Sequence, residues 1–490
     1  MFTLVIIAIC GKVIFSIWNK SEYIYNIYMQ DLKYILESND DIPYEIYLNG
    51  LTEQTVRAIS ADQNEPEWML EHRLKSLEVF CKLKMPSWGP DLSGLDLEKI
   101  VRYARPAKDY KWASDDWSKV PEEIRKKFDG LGIPEAEKKH LAGVGGQYDS
   151  ENVYHKIKEK RAAKWVIFED MAAALQSHGD LVKKYFMKLV PMHDHKFAAL
   201  HGAVWSGGTF IYIPSGVVLD EPLQAYFRMN TYGWGQFEHT LIIVEDDAVG
   251  NYIEWCSAPK YDMKSLHAGL VEIFVGKRSR MKYSSVENWS TNTYNLNTKR
   301  SIVQEDGFME WINGNLWSCV TMLYPCTILQ WDRSKSDNIW VVMANAGQVQ
   351  DTGSKVIHIG RDTSSTIISK SISKSGGISI YRGIVDIKAS AIWAVNGTEC
   401  DALLMDDDSV STTIPHINVA NWESTIAHEA SAGKVDEVMV FYMMSRGLDE
   451  GQAMAMIVNG FISPIVKRLP LEYAGELNKL IEMEMEWSVG

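Results

Sequence analysis

Cys400 and the adjacent pair His428-Glu429 are the residues whose types come nearest to a metal site: a thiolate, an imidazole and a carboxylate in one C-terminal stretch. These donors suit iron with sulfide. Thiolate is soft, imidazole binds iron well, and carboxylate is a labile oxygen ligand that can later be given up. The cysteine lies in Gly397-Thr398-Glu399-Cys400-Asp401 and the pair in Ala427-His428-Glu429-Ala430. The six cysteines (Cys10, Cys81, Cys256, Cys319, Cys326, Cys400) contain no Cys-x-x-Cys and are too scattered for a zinc ribbon or a ferredoxin-type cage. The expectation is a site with few thiolates, exposed enough to gain and lose its cargo.

A chain of 490 residues is long enough for two or three domains, or for one elongated domain with end caps. A net charge of −14 and the lack of a basic tract argue against a nucleic-acid surface, which needs clustered Lys and Arg. Few, irregularly spaced cysteines do not make a disulfide framework and suit a reducing compartment. No Walker lysine loop is present, so any ATP hydrolysis must come from a partner. A hydrolase with paired carboxylates has no distinctive motif in its favour. Met1 to Gly11 is apolar and Val13 to Trp18 nearly so, but Lys12 interrupts the run. It is short for a membrane span and resembles a signal-peptide core without a basic start or a clear cleavage site. The two readings are a targeting or anchoring segment and an apolar extension of no separate function.

Residues 1–50 therefore read as an N-terminal extension, and 51–162 as a helical and irregular region. In the latter Val56, Ile59, Trp68, Leu70 and Leu74 recur near helical spacing, and Asn64-Glu65-Pro66-Glu67 suits a helix start. From 163 to 428 short runs rich in β-branched and aromatic residues follow one another, among them Thr209 to Ile213, Thr240 to Val244, Leu270 to Val275 and Ile378 to Val385. Alternation such as Ile378-Ser379-Ile380-Tyr381-Arg382 marks strands with one face in a core. Pattern alone leaves a sandwich, a barrel and a β-solenoid open, since no strict repeat is present. From 429 to 490 the period is helical again, with Val435, Val438, Met439, Tyr442 and Met443 on one face, a second helix over Asp449 to Val458 and a third over Leu471 to Met485.

Several longer segments carry a resemblance. Arg57-Ala58-Ile59-Ser60, Asn64 to Leu70, Phe197-Ala198-Ala199-Leu200, Gly208 to Pro214, Gly235-Gln236-Phe237-Glu238, Asp351 to Lys355, Thr366 to Lys370, Tyr381 to Val385 and Ile457 to Phe461 resemble, in order, the SufB family of iron–sulfur cluster assembly proteins. The resemblance spans Leu51 to Gly490. It implies a mainly β fold, a right-handed parallel β-helix core flanked by helical N- and C-terminal regions, which selects the solenoid. It also implies an assembly scaffold, not a turnover enzyme, working with the ATPase SufC at the C-terminal helices and with the paralogue SufD. Sulfur would come from a cysteine desulfurase and its carrier (SufS with SufE or SufU), and the recipients would be apo iron–sulfur proteins or carriers. The implied cofactor is a transient iron–sulfur cluster, with flavin a further candidate. Bacterial cytoplasm and plastid stroma both suit the chemistry.

Residue by residue, the resemblance makes Cys256 the acceptor of sulfur, a role that needs a thiolate nucleophile. It makes Cys400, His428 and Glu429 the iron ligands of the nascent cluster, and Arg228, Asn230, Trp289 and Lys299 the sulfur path. Read without it, Cys256 is a small buried residue on a strand and the path residues are structural ladders and ion pairs. Four departures stand out. Trp255 replaces a glycine and could narrow the route of sulfur, Glu287 replaces a glutamine, His239 an arginine, and Ala427 a glutamate. They give weight to a second reading, a SufD-like structural subunit that takes no sulfur. Cys319 and Cys326 read as structural and His358 as a weak extra ligand. The 17 tryptophans have no explanation at this level.

Overall fold

The computed structural model describes residues 44–106, 143–148, 151–157, 165–219, 221–229, 233–258 and 264–468, with positions 474, 478 and 481. The N-terminal apolar run and Asn230 lie outside them. So does most of the expected third helix, of which Ala474, Asn478 and Ile481 are helical. The chain folds as a parallel β-solenoid of about seven turns with flanking helices.

One wall of the solenoid runs from the Leu223–Arg228 strand through Val249–Ser257, Arg280–Asn288, Phe308–Leu316, Lys335–Ala344, Ser364–Ser373 and Val395–Leu404 to Thr425–Lys434, all parallel. In the earlier turns two further strands complete each rung. The short strands Gly235–Gln236, Ser265–His267, Thr293–Asn295, Val320–Leu323 and Val349–Thr352 form a second wall. Thr209–Ile213, His239–Val244, Leu270–Val275, Thr298–Val303, Cys326–Leu329 and Lys355–His358 form a third. These two walls merge in the long strand Ile378–Ile387, which pairs with both and then with Val410–Val419. The solenoid thus begins with three walls and ends with two.

Alternation along each strand divides the residues between lumen and exterior. On the first wall Tyr252, Glu254 and Cys256 point inward, while Ile253 and Trp255 join an outer cluster with Val458, Ile462 and Ile465 of the C-terminal helices. Where helices cover the outside, both faces are buried and the strand reads as a continuous apolar run. Ile378–Ile387 is uncovered and its burial alternates cleanly. The corner between the third and first walls carries a stack of non-glycine residues in the left-handed region: Asp247, Arg278, Asp306, Arg333 and Asp362, with φ of 59°, 56°, 57°, 58° and 55°. Ion pairs of 2.6 Å (Arg278–Asp247) and 2.7 Å (Arg333–Asp306) and backbone hydrogen bonds between successive corners hold this conformation.

Helix α1 (Glu53–Asp62) is capped by the Thr52 side chain, and α2 (Glu67–Lys82) starts after Pro66 as its sequence predicts. Arg73 of α2 is buried against Glu65, at 2.6 Å, and donates to the carbonyls of Ala203 and Trp205. It thereby ties α2 to α5 (Lys196–Val204), the last of three helices after α3 (Met171–Ser177) and α4 (Gly179–Tyr185). The texture change expected at 163 is not a structural boundary. Gly143–Tyr148 already pairs with Leu223–Arg228, and α3 to α5 follow it. Strand structure also continues past 428 to Lys434, and α6 (Glu437–Ser445) and α7 (Glu450–Val466) begin after it. Hydrogen bonding of Thr425–Lys434 to Val395–Leu404 overrides the helical tendency of Ala430 to Gly433.

Candidate functional site

Cys256 sits on the inner face of the first wall, fully buried, where side chains from all three walls converge. Its Sγ lies 4.0 Å from Oε1 of Glu254, two residues back on the same face. Glu254 also accepts from the Tyr283 hydroxyl at 2.7 Å and from Thr240 at 3.2 Å across the lumen. The next rung places Glu287 directly beside Cys256. Lys299 reaches over from the third wall to Glu287 Oε1 at 2.7 Å and Ser285 Oγ at 2.8 Å. From the second wall His267 hydrogen-bonds Glu238 through Nε2 and Asn295 Oδ1 through Nδ1, the latter at 2.7 Å. Trp289 packs against the His267 ring at 4.4 Å between centroids, and its Nε1 lies 3.5 Å from Glu287.

Burial dominates the electrostatics of this rung. It pushes the Cys256 thiol well above its usual range, and the carboxylates of Glu254, Glu238 and Glu287 push it further; Lys299 opposes them. Burial likewise raises Glu254, leaving it a better base than an exposed carboxylate. Glu287 is held below its usual value, because Lys299 and His267 outweigh its burial. The negative charge that Glu287 adds is therefore matched within the lumen. Lys299 is raised, the neighbouring carboxylates outweighing burial.

Cys400 lies on the inner face of the same wall, in the two-walled end. Burial, then the charges of Asp401 and Glu399, push its thiol up to about 12, and Tyr381 on the facing wall opposes them by hydrogen bonding. Cys400 pairs with Ala430, and His428 pairs with Thr398, so His428 shares the inner face two positions out of register with the thiol. Its Nε2 is buried without a hydrogen-bond partner. Glu429 pairs with Glu399 on the opposite, exposed face. The structure brings Cys400 and His428 to one face and leaves Glu429 on the other.

The two thiols share one wall. In successive strands Glu254 pairs with Ser285, Ser285 with Asn313, Asn313 with Trp340, Trp340 with Ser369 and Ser369 with Cys400. This inward row is polar except at Trp340, whose indole packs on Leu323 and Val342 and donates to Ser354 Oγ at 2.8 Å. Trp340 therefore spans the lumen between the two cysteines. The adjacent row stacks Tyr252, Tyr283 and Trp311, with ring centroids 5.6 and 5.0 Å apart. Several of the tryptophans are thus rungs of interior ladders, where large flat rings fill the lumen.

Comparison with known proteins connects this geometry to a lineage. Residues 51–225 match the SufBD protein N-terminal region, and residues 227–461 match the SufBD core domain, described as SUF system FeS cluster assembly. The chain belongs to the SufBD family. An iron–sulfur cluster assembly SufBD family protein of Staphylococcus aureus (strain MRSA252) is 51% identical over 452 residues, 92% of this chain and 97% of its own length. One of Staphylococcus saprophyticus is 51% identical over 441 residues, 90% of this chain and 94% of its own.

Within this SufBD chain the remaining expected positions divide by face. Trp255 does not narrow the lumen, because it points outward beneath the C-terminal helices. Arg228, paired with Ser257, faces outward as well and donates to the Ser257 hydroxyl at 3.3 Å. His239 is outside the lumen too, 3.0 Å from His201 and 3.3 Å from Glu272. Ala427 is on the exposed face beside Gly397. His358 has both ring nitrogens engaged, by Thr363 at 2.8 Å and Ser365 at 2.9 Å. Sequence reasoning missed Glu238, Glu254 and His267. The Gly235 to Glu238 motif and the glutamate two residues before Cys256 were the available signals, but only the rung brings them together. It also missed a cavity of about 490 Å³ lined by Trp88, Phe197, Tyr324, Lys355 and Lys299. Among the described residues no helix is long and apolar enough to cross a membrane.

Proposed function

We propose that the chain is the sulfur-accepting scaffold of the SUF system, receiving persulfide sulfur at Cys256 and assembling a nascent cluster at Cys400. The observation that carries this reading is the pair of inward-facing thiols on one wall, with a row that leads from Glu254 beside the first thiol to the second and is polar except at Trp340. Cys256 Sγ attacks the sulfane sulfur of a carrier persulfide. A new S–S bond forms as the carrier's breaks, the carrier cysteine leaves as thiolate, and the Cys256 proton passes to Glu254, 4.0 Å away. Lys299 stabilises the resulting persulfide anion.

Iron is the cargo at the second thiol. Cys400 and His428 offer a thiolate and an unpartnered imidazole nitrogen at an end from which a cluster can leave. Glu429 joins them only if the exposed last strand turns, or acts from outside as an iron-recruiting carboxylate. No step is assigned to a flavin.

The outward face of α6 supports docking of the ATPase SufC, since Val438, Phe441 and Tyr442 are exposed there. The four departures from the family pattern do not argue for a SufD-like role. Trp255, His239 and Ala427 lie outside the lumen, and Glu287 is paired with Lys299.

The test is incubation with a persulfide-charged sulfur carrier followed by mass spectrometry, and anaerobic reconstitution with iron and sulfide. The scaffold reading expects persulfide on Cys256, lost in Cys256→Ser, and a coloured cluster lost in Cys400→Ala. Persulfide on neither cysteine would leave the SufD-like structural subunit, and full cluster yield in Cys400→Ala would remove the assembly site from this chain.

A further inference from the structure

The Cys256 rung sets beside the thiol two further donors, Glu238 and His267, that sulfur acceptance does not use. One ligand atom each from Glu238, Cys256 and His267 lies within 4.8 Å of the other two, all buried. Glu238 is 2% exposed, and its Oε2 has no hydrogen-bond partner. A carboxylate oxygen left so in a sealed lumen is costly unless a cation or donor meets it.

The orientation of the imidazole follows from its neighbours. Asn295 Nδ2 donates to Glu287 Oε2 at 2.5 Å and to Asn315 Oδ1 at 3.3 Å, so both amide hydrogens are committed. Its oxygen therefore faces His267 Nδ1 at 2.7 Å, and that nitrogen must donate. Burial disfavours a second proton on the ring, but the carboxylates of Glu238 and Glu287 outweigh it, so Nε2–H donates to Glu238 beside the thiol and an ion bound here displaces that proton. This chain of Lys299, Glu287, Asn295 and His267 is the arrangement that aims metal-ligating imidazoles, whose second nitrogen is held by an outer partner. Donors around a tetrahedral ion, with bonds of about 2.0–2.3 Å, stand about 3.3–3.8 Å apart. Binding would draw the three atoms, now within 4.8 Å of one another, to that spacing.

We infer that Glu238, Cys256 and His267 bind one divalent first-row transition-metal ion in the lumen, with a position left open for an exogenous sulfur ligand. One thiolate, one imidazole and one carboxylate form a borderline donor set that accepts Fe²⁺, Co²⁺ or Zn²⁺ and disfavours Mg²⁺ and Ca²⁺. The site goes beyond the scaffold reading and does not depend on it. It would put an iron ion beside the first thiol, in a wider and more polar rung than that of Cys400.

Cobalt is the probe, because a Co²⁺–thiolate bond gives a charge-transfer band. The full chain is produced with Co²⁺ in the medium, so that loading does not rely on opening of the folded lumen, and is purified anaerobically. A Cys400→Ser background is expected to keep about one cobalt per chain with the thiolate band. In that background Cys256→Ser should abolish the band, and Glu238→Gln or His267→Gln should lower cobalt content. Asn295→Leu, which removes the orienting partner along with its bonds to Glu287 and Asn315 but none of the three donors, should weaken affinity about 10- to 100-fold. Far-ultraviolet circular dichroism confirms that each variant is folded. The inference is overturned if the Cys400→Ser protein carries no cobalt, or if a folded Cys256→Ser variant retains the band. Failure here leaves persulfide formation on Cys256 untouched, so the two readings stand or fall separately.

Discussion

The rung of Cys256 and the rung of Cys400 are built from the same first wall, yet they are different chemical environments. Three walls surround Cys256, and the wider lumen admits Glu238, Glu254, His267, Glu287 and Lys299, whose charges and hydrogen bonds answer one another. Two walls face each other at Cys400, where the inner neighbours are Tyr381, Val385 and Ile426. The final strands Val410–Val419 and Thr425–Lys434 are largely exposed, with no further rung beyond them among the described residues. An enclosed, charge-balanced rung can hold a reactive anion away from water, whereas an exposed end can exchange its contents. On the proposed reading, wall number, more than ligand identity, separates a place to receive from a place to release.

Removing the cation at the first rung is the strongest way to break this contrast. Lys299→Met removes the ion-pair partner of buried Glu287, leaving it only His267 and Asn295, and should destabilise the fold by about 3 kcal/mol in denaturant titrations. Adding Glu287→Gln should recover most of that loss. An unchanged midpoint in the single variant would mean that the lumen is far wetter than its burial implies. Of similar size is the effect of Trp340, which keeps the two rungs apart. Trp340→Ala should cost about 3 kcal/mol through the cavity it leaves. It should also expose Cys256 to alkylation from the open end, read by mass spectrometry after limited labelling. If Cys256 stays silent in the folded variant, Trp340 is not the barrier.

The smallest effect is in the pH dependence of the second rung. Burial raises the Cys400 thiol from 9.0 to about 12, so below 9.0 the folded and unfolded chains both keep that proton and no stability is lost. Above it the unfolded chain releases the proton first, and stability falls as pH rises through that window. Buried tyrosines decline over the same range, so the measurement is a difference: Cys400→Ala should show a shallower loss than the parent chain. Parallel curves would place the thiol in water.

Much of this molecule was legible before folding. The thiols of Cys256 and Cys400, the imidazole of His428 and the ammonium of Lys299 carry their chemistry in their side chains, and alternation marks strands such as Ile378–Ile387 wherever one face is uncovered. A local signal also reached the start of α2, since Pro66 acts within a few residues of itself. The face a residue occupies was not legible where helices bury both sides, because the period that separates inside from outside vanishes there. The resemblance set Trp255 and Arg228 along the sulfur route, and without that period nothing in their own strands showed that they lie outside the lumen.

Sequence by itself determined a β-rich chain with scattered soft ligands and a family resemblance that its relatives bear out. Only the tertiary structure decided which of those ligands meet. Glu238, Cys256 and His267 are brought within 4.8 Å of one another because each stands at the same level of a different turn or wall. Glu429 and Cys400 are kept on opposite faces because a strand turns successive side chains away from each other. Stacking registers join residues a full turn apart, and no local pattern encodes that distance.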